Sequence, residues 1–289
     1  MGDLAEDTAV RPSGGDGDGR YEATLSPEWE IWGPMGGYVA ACALRAVGAS
    51  TEHARPATFS CHYLAVARFG PVDLQVETRR RARTAASHRV EVTQEGRPIL
   101  DATVWSVGDV EGLEHDETTA PDVPGPDDLP YLRELLPDDA EGPRFPFWDN
   151  LEAKPVDFEP DWPPDGPRPA RWREWLRFTP TATFEDPWVD AARCVILVDL
   201  PSWPSAHRPH AWRQPPFIAP TLDLNVAFHR PTAGHEWLLC EGAAPLSTDG
   251  LFGWNARVWS PGGRLHASGG GQCLYRRLPP SPPSPPPPG

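Results

Sequence analysis

Residues 219 to 230, APTLDLNVAFHR, alternate polar and apolar side chains with a period of two. Such alternation predicts a β-strand with one buried face. The apolar residues would share that buried face: Leu222, Leu224 and Val226. The polar residues would share the opposite face: Thr221, Asp223 and Asn225. This polar face either meets solvent, as one face of an antiparallel sheet commonly does, or faces a reaction site.

Two blocks of the chain repeat one order of elements, a helix followed by four strands. The first block begins with GPMGGYVAACALRAV, in which Val39, Cys42, Ala43 and Ala46 recur at helical spacing. Its strands are ATFSCHYLAV, VDLQVETRRR, SHRVEVTQ and PILDATVWSV. The second helix begins at Asp186, an N-cap residue followed by proline, and continues through WVDAARCVILVDL. Its strands are TLDLNVAFHR, EWLLCEGAA, GWNARVWS and LHASGGGQCLYR, and REWLRFT could add another strand at the edge.

This internal repeat predicts an α+β fold with two antiparallel sheets, each wrapped on a helix. We expect a disordered N-terminus, a first unit, an acidic proline-rich connector, a second unit and a proline-rich tail: 1–19, 20–107, 108–168, 169–278 and 279–289. Within the connector, YLRELL could form a short helix. The charge and proline content of the connector predict that it is dispensable to folding.

The net charge of −15 at pH 7 is concentrated in the connector. Of 41 acidic residues, 18 lie between residues 109 and 165, where the basic residues are Arg133, Arg144 and Lys154. Acidic and basic residues balance in the rest of the chain. This distribution argues against a nucleic-acid partner, because the folded units carry no basic excess.

Targeting and metal-binding patterns do not occur in the sequence. No run of about 18 apolar residues is found, and the first thirty residues lack the basic start and apolar core of a signal peptide. We therefore expect a cytoplasmic protein that does not insert into a membrane. The five cysteines have no C-x-x-C spacing, and the histidines never pair at metal-ligand spacing on a helix. These patterns predict neither disulfides nor a metal site.

Motifs from both blocks together resemble the acyl-CoA thioesterase II family. They are GPMGGYVAACALRA and RPATFSCHYLAV in the first block, and LVDLPS, APTLDLNVAFHRP, EWLL and GQCLYR in the second. The resemblance covers residues 26–107 and 170–277. It implies a double-hotdog fold, in which two hotdog units of one chain form a pseudo-dimer. It also implies an enzyme that hydrolyses an acyl-CoA substrate to free acid and coenzyme A, without a cofactor or metal.

In that family an aspartate, a threonine and a glutamine hold a water molecule that attacks the thioester carbonyl. Motif by motif, the resemblance assigns these catalytic roles to Asp199 in VILVDLPS, Thr221 in APTLDL and Gln272 in GGGQCLY. Apolar neighbours of Asp199 favour a raised pKa for its carboxyl group. Asp199 could instead bond backbone at the helix end, and Gln272 could face solvent. Asp223, close to Thr221, is an alternative base.

Gly36 and Gly37 open the first helix in GPMGGY. Backbone N–H groups at a helix N-terminus favour an anion, so we expect this pair to bind substrate and stabilise an oxyanion. A glycine pair also permits close helix packing, which is the structural alternative. Trp29 and Trp32, just before the pair, could line an acyl pocket or cap the core. A site between the two blocks would explain why the chain needs both.

Two other functions stay open. A hotdog-fold enoyl-CoA hydratase would need an Asp–His pair at a strand-to-helix transition, and no such pair is evident in the sequence. A non-catalytic acyl-CoA binding module would not need the aspartate, threonine and glutamine, all of which are present. Neither the class of acyl chain nor the oligomeric state, with a homo-oligomer among the options, follows from the sequence.

Overall fold

The computed structural model describes residues 1–15, 17–136 and 145–278. The proline-rich tail from residue 279, and residues 137–144 of the predicted connector, lie outside these ranges. The helices of the described chain are α1 (Leu4–Asp7), α2 (Gly36–Ser50), α3 (Leu132–Leu135), α4 (Pro187–Asp199) and α5 (Ser202–His207). The strands are β1 (Arg11–Pro12), β2 (Arg20–Leu25), β3 (Arg55–Tyr63), β4 (Gly70–Arg81), β5 (Ala85–Gln94), β6 (Arg97–Val107), β7 (Leu151–Pro155), β8 (Arg171–Phe178), β9 (Phe217–Ile218), β10 (Thr221–Phe228), β11 (Leu238–Thr248), β12 (Leu251–Trp259), β13 (Leu265–Leu274) and β14 (Arg276–Arg277).

Twelve of these strands form one antiparallel sheet in the order β1-β2-β4-β5-β6-β3-β10-β13-β12-β11-β8-β7. The prediction of an antiparallel α+β fold is confirmed, and REWLRFT forms the predicted additional strand as β8. The two predicted sheets are instead halves of a single sheet. They join at its centre because β3 pairs with β10 along five residues of each strand.

The long helices α2 and α4 pack against each other and against the sheet. A Cβ atom on Gly37 would lie 2.9 Å from Cα of Ile196, and one on Gly48 would lie 2.6 Å from Cγ of Trp188. The start of α2 therefore lies beside the end of α4, and the two helices run antiparallel. The apolar stripe predicted on α2 is buried, but burial extends around most of the helix because the sheet and α4 cover different sides.

A β-bulge between Thr221 and Asp223 changes the direction of the Thr221 side chain. Leu224 and Val226 are buried, as predicted, whereas Leu222 is 39% exposed. The extra residue of a bulge reverses the alternation of faces. Thr221 therefore points towards the helices, and Asp223 points to the other side of the sheet. The prediction that the polar residues of this stretch share one face is wrong for Thr221.

The N-terminal segment, predicted to be disordered up to residue 19, folds against the rest of the chain in the residues described. Asp3 caps α1 by accepting hydrogen bonds from backbone N–H groups, and Leu4 is buried. Asp7 accepts a hydrogen bond from Nε1 of Trp29 at 2.9 Å. The acidic residues that suggested disorder serve as a helix cap and as a hydrogen-bond acceptor, which composition alone does not reveal.

Part of the predicted connector also belongs to the folded core. The short helix predicted in YLRELL is α3, and β7 forms an edge strand beside β8. Phe147 is fully buried. Nε1 of Trp175 donates a hydrogen bond to the carbonyl oxygen of Pro124 at 2.9 Å, and Nζ of Lys154 donates to that of Pro126 at 2.6 Å. The connector was predicted to be dispensable, but these few anchors attach it to the sheet although the segment as a whole is acidic.

Leu151→Ala in β7 is expected to lower the free energy of unfolding by about 2 kcal/mol, because a buried leucine leaves a cavity. Leu113→Ala is the matched control, since Leu113 is fully exposed, and it should change this free energy by less than about 0.5 kcal/mol. Urea unfolding followed by tryptophan fluorescence measures both effects. Equally small effects of the two substitutions would mean that the connector is dispensable after all.

Candidate active site

Asp199, the last residue of α4, is a buried carboxylate at the meeting point of three elements. Its Oδ2 accepts a hydrogen bond from the backbone N–H of Gly37 at 2.7 Å, at the start of α2. Its Oδ1 accepts a hydrogen bond from Oγ1 of Thr221 at 3.2 Å, at the start of β10. The predicted start of α4 is confirmed, because Asp186 caps the helix by accepting from the N–H of Trp188 at 2.8 Å. This cap sets the start of α4, and Asp199 lies at the other end of the helix, in contact with Gly37 of the first half.

Burial raises the pKa of Asp199 to about 6, and the hydrogen bonds from Gly37 and Thr221 lower it only in part. The cause is the cost of keeping a charge in a site with little access to water. This agrees with the raised pKa expected from the apolar neighbours of Asp199. A carboxyl group with a pKa near 6 is ionised at neutral pH, yet it is basic enough to accept a proton from water during a reaction.

The glycine pair lies beside Asp199, but its N–H groups are not all free for substrate. The N–H of Gly37 already holds the carboxylate of Asp199, so it orients this carboxylate and is not the oxyanion donor that was expected. A Cβ atom on Gly36 would lie 3.0 Å from Oδ2 of Asp199. Both glycines therefore permit close approach of the backbone to the carboxylate, and Gly37 also permits the contact between α2 and α4.

Gly37→Val is expected to lower kcat by about tenfold or more and to lower the free energy of unfolding by about 1–3 kcal/mol. The new side chain would push α2 away from Cα of Ile196 and would shift the N–H that holds Asp199. Gly112→Val is the control, because nothing lies within 4 Å of a Cβ atom at that position. Thermal unfolding and steady-state kinetics measure the two effects. A Gly37→Val variant of normal stability and normal kcat would contradict this packing role.

Gln272 lies away from the group formed by Asp199 and Thr221. Its side chain is exposed, and its backbone N–H donates to Oδ1 of Asp223 at 3.2 Å. The next residue, Cys273, is the one that approaches Thr221, with 3.7 Å between Sγ and Oγ1. Because successive residues of a strand face opposite sides, Gln272 faces the outer side of the sheet, which is the side away from α2 and α4. The structure thus joins Asp199 and Thr221, as the resemblance implies, and does not bring Gln272 to them.

The inward-facing neighbour of Gln272 is Gly271, which has no side chain to offer. A Cβ atom on Gly271 would lie 2.9 Å from Cη2 of Trp254. The indole of Trp254 occupies this space, and its Nε1 donates to the carbonyl oxygen of Val198 at 2.9 Å. A shift of one residue along a strand moves a side chain to the other face, so the presence of a glutamine in the motif was not sufficient to locate it.

Asp223 belongs to an open groove on the outer face of the second half of the sheet. This groove has a volume of about 1230 Å³, and Asp223, Asn225 and Gln272 line part of it. Oδ2 of Asp223 accepts a hydrogen bond from Nδ2 of Asn225 at 3.0 Å. The sheet lies between this groove and Asp199. Asp223 is therefore not a neighbour of the buried carboxylate, and the two acids occupy separate surfaces.

Tyr63 is a neighbour of Asp199 that the sequence analysis missed. It ends β3, and its hydroxyl oxygen lies 3.3 Å from the position that a Cβ atom of Gly36 would occupy. The hydroxyl oxygen is buried and has no partner at full hydrogen-bond geometry within the described ranges, although the thiol of Cys61 lies close enough to interact with it. The alternation of Phe59, Cys61 and Tyr63 in ATFSCHYLAV could have placed Tyr63 on the inner face. Its closeness to Asp199 depends on the pairing of β3 with β10, which no local pattern predicts.

Comparison with known families identifies both halves of the chain. The model of the acyl-CoA thioesterase N-terminal domain matches residues 25–107, and that of the acyl-CoA thioesterase C-terminal domain matches residues 126–270. The chain belongs to the acyl-CoA thioesterase family. As a member of this family it is a thioester hydrolase. The C-terminal match begins inside the segment predicted to be a connector, which agrees with the packing of β7 beside β8.

Three solved structures are similar to this acyl-CoA thioesterase family member over nearly their full length. Acyl-CoA thioesterase II TesB2 from Mycobacterium marinum has a TM-score of 0.77 and 20% identity, with 96% of this chain and 99% of that chain covered. A conserved protein of unknown function with hot dog fold from Alicyclobacillus acidocaldarius has the same TM-score, identity and coverage. The tesB protein from Mycobacterium avium subs paratuberculosis has a TM-score of 0.75 and 19% identity, with 96% and 99% covered. At these identities the similarity establishes the hotdog fold.

In the described ranges, no helix is both long and apolar enough to span a membrane.

Proposed function

We propose that this protein hydrolyses an acyl-CoA thioester to a free acid and coenzyme A, by attack of a water molecule that Asp199 activates. The observation that carries the proposal is the Asp199 carboxylate itself, which is buried and held by Gly37 and Thr221. Its pKa of about 6 suits a group that must be ionised before reaction and protonated during it.

In the proposed reaction, Asp199 takes a proton from water as the water oxygen attacks the thioester carbonyl carbon. The hydroxyl of Thr221 donates to Asp199 and keeps lone pairs that can accept a hydrogen bond from the same water. When the tetrahedral intermediate collapses, the carbon–sulfur bond breaks and the proton held by Asp199 passes to the leaving thiolate. No covalent intermediate with the protein forms. Gln272, exposed on the other face of the sheet, has no part in this step.

We also propose that the chain is a double hotdog, with the reaction site between its two units. Support comes from the matching order of strands on each side of the β3–β10 pair and from the antiparallel contact of α2 and α4. Asp199 and Thr221 belong to the second half, and Gly37 belongs to the first. Neither half alone would therefore hold the carboxylate in place.

Two tryptophans beside the site are proposed to contact the acyl chain. Trp32 lies just before α2, and Trp203 follows Asp199 by four residues, so both lie near the helix ends that carry the site. Their ring centroids are 5.7 Å apart in an edge-to-face contact. Trp32 is 45% exposed and has a φ angle of 62°. An exposed aromatic ring held in this uncommon backbone conformation is typical of a residue that contacts a ligand. Trp29, in contrast, is fully buried and stacks on Tyr38, so it belongs to the core.

A thiol-release assay over short, long, branched and aromatic acyl-CoA compounds tests the proposed function. The proposal predicts equimolar coenzyme A and free acid from at least one class of acyl-CoA. Binding of acyl-CoA without thiol release from any compound would indicate a non-catalytic binding module. With an enoyl-CoA added to the panel, loss of the enoyl absorbance without thiol release would indicate a hydratase.

A further inference from the structure

The buried hydroxyl of Tyr63 lacks a well-aligned hydrogen-bond partner at the place where the proposed reaction needs a hydrogen-bond donor. Tyr63 ends β3 and comes from the first half of the sheet, whereas Asp199 and Thr221 come from the second. The hydroxyl oxygen and Oδ2 of Asp199 both flank Gly36, at 3.3 Å and 3.0 Å from the position of a Cβ atom on that glycine. The phenol and the carboxylate therefore border the same space at the start of α2.

An unpaired buried hydroxyl is costly to a folded protein. A polar group that loses its water without gaining a hydrogen bond destabilises the folded protein, and few such groups persist in native structures. Within the described residues no group forms a well-aligned hydrogen bond with the hydroxyl oxygen of Tyr63. The neighbouring thiol of Cys61 interacts with this hydroxyl, but sulfur is a weak acceptor that an oxygen atom of a ligand can replace. An acceptor supplied by a ligand would remove this cost, so the hydroxyl indicates a polar atom of the ligand.

The protonation state of Tyr63 makes it a donor. Burial raises the pKa of Tyr63 well above its usual range, and the nearby thiol of Cys61 and carboxylate of Asp199 raise it further. The phenol is therefore neutral at neutral pH and can donate a hydrogen bond to an acceptor. A thioester carbonyl oxygen is an acceptor, and it becomes a stronger one as negative charge develops on it.

Gly36 borders this space, but no side-chain donor expected from the sequence is free to act there. The N–H of Gly37 is bound to Asp199, the side chain of Gln272 is on the outer face, and Gly271 has no side chain. Trp254 fills the space next to Gly271 and donates its N–H to Val198. The reaction still needs a group that stabilises the oxyanion, and Tyr63 is a side chain of suitable chemistry at the correct position.

We propose that Tyr63 is a catalytic residue whose hydroxyl donates a hydrogen bond to the thioester carbonyl oxygen, in place of a glutamine amide. The proposal rests on the proposed thioester hydrolysis. As the water oxygen bonds to the carbonyl carbon, the π electron pair moves to the carbonyl oxygen, which accepts the hydrogen bond while the proton stays on Tyr63. When the carbonyl re-forms, the carbon–sulfur bond breaks, and the thiolate takes the proton from Asp199.

Tyr63→Phe tests this role, because it removes only the hydroxyl oxygen. We expect kcat to fall about a hundredfold, the scale of losing one oxyanion donor, with KM changed less than about threefold. The melting temperature should stay the same or rise, since the substitution removes an unpaired polar group. A residue with a merely structural hydroxyl would show the opposite pattern, with lower stability and normal kcat. The pH profile of the remaining activity should still rise with a pKa near 6, because Asp199 is unchanged.

Tyr21→Phe is the matched control. The hydroxyl of Tyr21 accepts a hydrogen bond from Oγ of Ser50 at 2.9 Å, at the opposite end of α2 from Gly36. This control should leave kcat within about twofold of the wild-type value. If Tyr63→Phe fails to fold, 3-fluorotyrosine at position 63 keeps the hydroxyl and makes it more acidic, and kcat should change by several-fold.

Three results separate this proposal from the proposed function. Normal kcat for Tyr63→Phe, or no effect of 3-fluorotyrosine, while Asp199→Asn is impaired would overturn the role of Tyr63 and leave the thioesterase intact. Loss of kcat in Tyr63→Phe with normal stability and KM would support it. A wild-type protein that releases no thiol from any acyl-CoA would overturn both proposals together.

Discussion

Asp199→Asn is expected to lower kcat for acyl-CoA hydrolysis by a hundredfold or more. Asparagine has nearly the shape of aspartate, and its amide oxygen can still accept the hydrogen bond from the N–H of Gly37. It cannot accept a proton from water, and loss of a general base costs about 10²–10⁴-fold in rate. Steady-state kinetics with the best acyl-CoA give kcat and KM, and calorimetric titration with a non-hydrolysable thioether analogue measures binding, which should be retained.

Asp223→Asn is the control for this substitution, because Asp223 lies on the other face of the sheet and bonds Asn225. We expect it to lower kcat by less than about tenfold. Since Asp199 and Thr221 would act on one water, Thr221→Ala combined with Asp199→Asn should cost much less than the product of the single losses. Normal hydrolysis by Asp199→Asn together with a large loss of kcat in Asp223→Asn would mean that the base is Asp223, in the groove on the outer face of the sheet.

The second large expected effect concerns the pH dependence of acyl-CoA hydrolysis. Burial raises the pKa of Asp199 to about 6, and only its ionised form can accept a proton. Below this pKa, kcat/KM should fall about tenfold for each pH unit, so that at pH 4 it is about a hundredfold below its plateau. Measurement of kcat/KM and kcat between pH 4 and 9 checks this. A profile that stays flat down to pH 4 would contradict the assignment, unless chemistry does not limit kcat, which a pre-steady-state burst of thiol release reveals.

The raised pKa of Asp199 also affects the stability of the fold, but it favours stability at low pH, whereas it favours activity at high pH. Because the pKa of Asp199 is raised in the folded protein, its protonated form favours folding. This contribution is present below the unfolded-state value of about 4 and is lost as the pH rises through about 6. Asp199→Asn should therefore gain stability relative to the wild type above pH 6 and show no such gain at pH 4. Melting temperatures at the two pH values measure this difference.

Local patterns in the sequence were sufficient for the elements that carry the site. The N-cap at Asp186 and the apolar spacing after it predict α4, and the end of α4 contains Asp199. The alternation in APTLDLNVAFHR predicts β10. Both signals depend on residues close together in the chain, so no knowledge of the tertiary structure is needed to interpret them. Asp199 and Thr221 were then assigned by family resemblance, and the structure brings them together.

The features that the sequence did not predict depend on contacts between distant segments. The bulge at Leu222 turns Thr221 inward, and the register of β13 turns Gln272 outward. Pairing with the partner strand determines the directions of both side chains, and a pattern of alternating residues does not reveal this pairing. Tyr63 was missed for the same reason, since it reaches Asp199 only because β3 and β10 pair across the two halves.

The acidic segments show that composition alone does not predict whether a segment folds against the rest of the chain. Residues 1–19 and the connector have few apolar residues, yet Leu4 and Phe147 are buried. A few well-placed anchors are sufficient to hold a segment against a sheet when its charged residues can remain at the surface or act as caps. Composition describes the average of a segment and does not identify the individual residues that attach it.

Direct attack by water, with Asp199 as the base, is tested by one turnover in water enriched in oxygen-18, with enzyme in excess over acyl-CoA. Mass spectrometry then follows the acid product and the peptide that contains Asp199. The account predicts one oxygen-18 atom in the acid, no label in the peptide and no acyl adduct that hydroxylamine can trap. Oxygen-18 in the carboxyl group of Asp199, or a trapped acyl group on it, would mean that Asp199 attacks the thioester itself and would contradict the account.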